Sequence, residues 1–142
     1  MTTTNPTRGQ LERTLSQHIQ SFYRNQLGHQ PTKVTCQLFE QKLVIIIEDS
    51  LTPAEQLLAQ EGQEELAEQI HSTLDEVTKP QIKELLEEVM KVEVIDLLSD
   101  ATLETSRTGI IAVLAANPQV RNPETIPGVR SRRPSARSND VA

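Results

Sequence analysis

Between Lys42 and Glu55 the chain reads KLVIIIEDSLTPAE, and this stretch restricts the fold more than any other. Leu43 to Ile47 are all apolar, and Ile45, Ile46 and Ile47 are β-branched. Such a run predicts a strand that is covered on both faces or lies at a subunit interface. A helix start follows almost at once. Thr52 stands at the N-cap, Pro53 in the first helical position and Glu55 in the third. The Thr hydroxyl accepts from the backbone N–H of Glu55 while the Glu carboxylate returns to the N–H of Thr52, which satisfies two otherwise orphaned donors.

The flanking segments read outward from this strand and cap. Upstream, Leu11, Leu15, Ile19 and Phe22 recur every three or four residues, which predicts an amphipathic helix over about residues 9–26, stopped by Gly28. Pro31 then imposes an extended entry. Val34, Cys36 and Leu38 alternate with Lys33, Thr35 and Gln37 as in a half-buried strand, and Glu40 and Gln41 form the turn to the apolar strand. Downstream, Leu57, Leu58, Leu66, Ile70, Leu74 and Val77 mark a helix that Gly62 bends, and Thr78 to Pro80 reads as a break before a second helix carrying Ile82, Leu85, Leu86 and Val89. Val92 to Leu98 is strand-like, with Val94 and Leu98 on the face of Asp96 and with Ile95 and Leu97 on the other. Residues 99–107 form a polar connection to a last apolar strand, Gly109 to Leu114.

The expected architecture is therefore α+β, in the order α-β-β-α-α-β-β: a four-stranded antiparallel sheet from two hairpins, with an N-terminal helix and two middle helices joined at Pro80. Residues 1–8 are expected to be a disordered N-terminus, 9–116 a single domain, and 117–142 a disordered Arg-, Pro- and Ser-rich tail. Helices in so short a chain leave one sheet face bare. Val44, Ile46, Ile111 and Val113 are thus expected to form an apolar patch that serves as a homodimer interface.

Composition narrows the function. At 142 residues there is room for one core, built from Leu, Ile and Val because the chain has only Phe22, Phe39 and Tyr23 as aromatics. Of the 20 acidic residues, 18 lie between Gln10 and Ala116, against 8 of the 14 basic ones, so the body repels phosphate backbones and nucleic-acid binding by it is disfavoured. The longest apolar run falls far short of the ~20 residues of a membrane-spanning helix, and the N-terminus lacks the apolar segment of a signal peptide. With Cys36 as the only cysteine, no intramolecular disulfide forms, and a cytoplasmic location is expected.

No catalytic constellation emerges. His18, His29 and His71 are far apart and lack metal-ligand spacing, which assigns them surface or helix-packing roles. Cys36 sits on a strand's apolar face and reads as a small hydrophobe. Glu64, Glu65 and Glu68, like Glu84, Glu87 and Glu88, fall at helical spacing and read as solvated faces. Asp49, Asp96 and Asp100, in or beside strands, are better placed for a polar site, although no spacing rule selects them. The five glycines are isolated, so no phosphate loop exists. No enzyme activity, cofactor or metal is expected. In the tail, Arg130, Arg132, Arg133 and Arg137 offer a docking segment for an acidic protein surface, an anionic membrane or RNA, and Ser135 lies in a basic context suited to phosphorylation.

The order of Gly28, Pro31, an alternating strand, an apolar strand, LTPAE at Leu51 to Glu55, Leu58, Gly62 and a closing hairpin with Asp100 resembles the bacterial MpsC family over about Leu11 to Leu114. The family takes its name from a Na+-translocating, membrane-potential-generating system. The family's usual Gly-x-Gly-Pro entry reads Gly28, His29, Gln30, Pro31 here, and Ala115 and Ala116 stand where an aromatic is common. The resemblance implies a non-enzymatic cytoplasmic accessory or regulatory protein, peripheral to the inner membrane. Through protein contacts it would serve membrane subunits that move cations or take up inorganic carbon. The alternative is a soluble regulator that binds a cytosolic protein or nucleic acid through the Arg-rich tail.

Overall fold

In the computed structural model, which describes residues 5–129, the first helix (α1, Arg8–Phe22) starts at a capping box. Thr7 Oγ1 accepts from the N–H of Gln10 at 3.1 Å, and the Gln10 side chain returns to the N–H of Thr7 at 2.9 Å. This cap sets the helix start inside the stretch expected to be disordered. The last turn widens into a π-helical segment, Tyr23–Leu27, and ends at Gly28 with φ of 65°, a left-handed conformation that glycine adopts without a Cβ clash.

Two hairpins follow the expected order. Strands β1 (Lys33–Phe39) and β2 (Lys42–Glu48) pair through the turn at Glu40 and Gln41, and β3 (Val94–Thr102) pairs with β4 (Arg107–Leu114). Pairing of β2 with β4 joins them into one antiparallel sheet of order β1-β2-β4-β3. The second hairpin is longer than its apolar residues suggest. Asp100 pairs with Gly109 and Thr102 with Arg107, so part of the expected polar connection is strand.

The two middle helices are α2 (Pro53–Gln60) and α3 (Glu64–Met90). The break between them falls at Gly62, whose φ is +81°, and not at Pro80. Pro80 lies inside α3 and is exposed. The Glu76 carbonyl that loses its N–H partner there is thus near solvent, and packing of α3 on either side keeps the helix continuous. Gly62, by contrast, ends α2 because the left-handed conformation stops helical propagation.

Among the described residues, the helices lie on one side of the sheet. Leu11, Leu15 and Ile19 of α1 and Ile82, Leu86 and Met90 of α3 pack on Leu38, Leu43, Ile45, Ile110 and their neighbours. One strand face departs from simple alternation. A bulge between Val94 and Asp96 inserts Ile95 as an extra residue, so Val94 turns into the core at 1% exposure while Asp96 and Leu98 point to the opposite face. Val94 and Leu98 therefore do not share a face as two-residue periodicity predicts.

The core also continues beyond residue 116. After β4 the chain returns across α1, with the Arg121 N–H donating to the Pro6 carbonyl at 2.9 Å and the Arg8 N–H to Asn122 Oδ1 at 2.8 Å. A 3-10 turn, Pro123–Thr125, then delivers Ile126 into the core at 1% exposure, beside a buried Val120. The expected domain end at 116 is thus moved to at least Val129. Periodicity cannot reveal this segment because its apolar anchors, Val120, Ile126 and Val129, recur at neither a helical nor a strand spacing.

Candidate functional site

The only charged side chain that is fully buried among the described residues is Glu55, at 2% exposure. Its position follows from the cap: as the third residue of α2 it turns back over Thr52, accepting from the Thr52 N–H at 2.9 Å and from Thr52 Oγ1 at 2.8 Å. The second carboxylate oxygen meets His71 Nδ1 at 2.8 Å. His71 lies in the second turn of α3, so the pair ties α3 to the start of α2.

Burial by itself pushes the Glu55 carboxyl upward, but the hydrogen bonds from His71 and from the Thr52 backbone and hydroxyl outweigh it and hold the group below its ordinary value. For His71 the bond to Glu55 comes first and raises its pKa against the opposing effect of burial, helped by the charges of Glu55, Asp75 and Asp100. The pair accordingly favours a carboxylate against an imidazolium. Among the described residues, His71 Nε2 is buried without a hydrogen-bond partner.

Beside this pair opens a cleft of about 680 Å³ between α2, the first turns of α3 and the β3–β4 hairpin. Gln56, Glu64, Glu68, Asp100 and Glu104 line it with His71, among neutral residues such as Ala59, Gln60, Ser72 and Thr102. Glu64 and Glu68 are exposed, as expected of a solvated helix face. The structure brings them to one cleft with Asp100 through the fold of the hairpin over the helices. No three His, Cys, Asp or Glu side chains among the described residues gather at metal-binding distance.

The remaining candidates scatter. His18 is exposed, and His29 Nε2 donates to the Asp49 carbonyl at 2.8 Å, which makes it a brace between the α1 exit and the end of β2. Asp49 itself has φ of 57° and accepts weakly from Gln56 at 3.4 Å. Glu87 accepts from the Val94 N–H at 2.9 Å and fixes the start of β3. Glu65, Glu84 and Glu88 are exposed. Cys36 is buried, and burial pushes its thiol up to about 11, which leaves the neutral, unreactive form at physiological pH.

A second feature is the bare side of the sheet. Val44, Ile46, Ile111 and Val113 share it, as the β2–β4 register requires, and Ile111 is 41% exposed. Phe39 and Leu98 extend the patch at 45% and 57% exposure. The four tail arginines, Arg130, Arg132, Arg133 and Arg137, lie outside the described residues.

The family model described as Na+-translocating membrane potential-generating system (MpsC) matches residues 7–116, from the α1 cap to just past β4. The chain belongs to the MpsC family. Comparison with curated proteins and with solved structures found no match. The family match thus covers both hairpins, the Glu55–His71 pair and the bare sheet face of this MpsC-family chain, while Val120 and Ile126 lie beyond it. Among the described residues no helix is long and apolar enough to cross a membrane.

Proposed function

We propose that the chain is a non-enzymatic accessory or regulatory subunit of a Na+-translocating, membrane-potential-generating system, working from the cytoplasmic side through protein contacts. The family match over residues 7–116 carries this reading. One structural observation supports the part that concerns protein contacts: the large apolar side chains left exposed are concentrated on the bare sheet face and along the outer side of α2 and α3, at Leu57, Leu66 and Val77. Exposed apolar surface of this kind marks interaction sites.

The test is affinity capture of the full chain from detergent-solubilised membranes at native expression. Recovery of integral membrane subunits that conduct Na+ or take up inorganic carbon is expected. Capture of soluble proteins alone would defeat the reading.

A further inference from the structure

The side of the sheet away from the helices has an apolar centre, made by Val44, Ile46 and Ile111, and charges at its corners. Glu48 and Arg107 pair across β2 and β4 at one end, their side chains 2.8 Å apart. Lys42 and Asp96 stand at the other end, on strands separated by β4. We propose that a second copy of this chain docks here, sheet against sheet, about a two-fold axis parallel to the strands.

Self-complementarity carries the inference. Rotation about that axis lays β2 over the partner's β4 and β1 over the partner's β3, while each cross-strand row keeps its height. Glu48 then faces the partner's Arg107, and Arg107 the partner's Glu48, so that two internal ion pairs close into one ring of alternating charge. Asp96 falls over the partner's β1, next to Lys42 on the neighbouring strand. Val44 meets the partner's Ile111. Ile46 meets the partner's Gly109, the position over which the partner's own Ile46 leans, so the two Ile46 side chains lie against each other near the axis. Interfaces have this form, an apolar centre within a charged and polar rim.

Size is compatible with the proposal. Four strands ~4.8 Å apart and seven residues long at ~3.3 Å each present a flat projection of about 440 Å². Side-chain relief brings this toward the ~600 Å² per partner at the small end of specific interfaces. Stacked sheets pack ~10 Å apart with strands within ~30° of each other, as in a β-sandwich. A lipid surface is a poorer match, because anionic headgroups select a basic rim and this rim carries both signs.

Sedimentation equilibrium on the full chain at high micromolar concentration tests the pairing. The expected mass is twice the 15.9 kDa of one chain, and Ile111→Lys should halve it. Val77→Lys, on the outer side of α3, should leave it unchanged. A charge-swapped double variant, Glu48→Arg with Arg107→Glu, keeps the internal pair and guards against misfolding as an explanation. Mixed with the wild type, it should pair with itself and deplete the mixed dimer in native mass spectrometry. A wild-type monomer overturns the proposal, as does a dimer that survives Ile111→Lys. Random mixing of the swapped and wild-type chains overturns the strand-parallel axis. A monomer that loses a membrane partner on Ile111→Lys reassigns the face to that partner.

Discussion

Replacing Glu55 with Gln isolates the charge of the buried pair while preserving its shape. Glu55 is 2% exposed and its carboxylate accepts from the Thr52 N–H, Thr52 Oγ1 and His71 Nδ1. A Gln keeps the two contacts to Thr52 through its carbonyl oxygen, so the cap survives, and turns its NH₂ toward His71, which then stays neutral. A hydrogen bond to a charged group contributes about 1.5–3 kcal/mol against about 0.5–1.5 for a neutral one, so the substitution should cost about 1–2 kcal/mol. That cost depends on pH. A carboxyl held below its ordinary 4.5 contributes stability above that value and loses it as pH falls through the lowered pKa. An imidazole held above its ordinary 6.5 contributes fully below that value and loses the contribution as pH rises through the raised pKa. The pair is thus at full strength between 4.5 and 6.5. Urea unfolding followed by far-UV circular dichroism, in that window and on either side, should show the difference between wild type and variant largest inside it. A difference that is constant with pH, or absent inside the window, would refute the charged pair.

Three further outcomes rest on other parts of the fold. Ile126→Ala should lower stability by about 2–5 kcal/mol, as for other buried Ile truncations, and a chain ending at Ala116 should melt well below the full chain in calorimetry. Pro80→Ala should raise the melting temperature, because a helix-interior proline costs up to about 3 kcal/mol and its exposed site offers nothing in return. Gly62→Ala should lower stability by about 1–2 kcal/mol, since φ of +81° strains any residue with a Cβ; unchanged denaturant midpoints would contradict the turn geometry.

The sheet shows where local pattern suffices. The antiparallel hairpins, the alternation that keeps Val44 with Ile46 and Ile111 with Val113, the Gly28 stop and the Thr52–Glu55 cap are all legible in the sequence. Each depends on residues close in the chain, and their hydrogen-bonding or burial preference has a fixed period. The capping box is the clearest case, since its donors and acceptors lie three residues apart and close whatever surrounds them.

Tertiary structure decided what such local rules cannot reach. Pro80 looks like a helix end, yet packing of Thr78, Ile82 and Leu86 carries α3 past it. The bulge at Ile95 moved Val94 into the core, because pairing with β4 outweighs alternation within one strand. Ile126 returns to α1 and the sheet from a segment with no periodicity. His71 gained its partner from Glu55, 16 residues earlier, so the cap first legible as local chemistry also became the anchor between two helices. Local sequence determined the order of the elements and the faces of β1, β2 and β4. Folding alone decided which polar groups would meet, because those distances are set by how the elements pack.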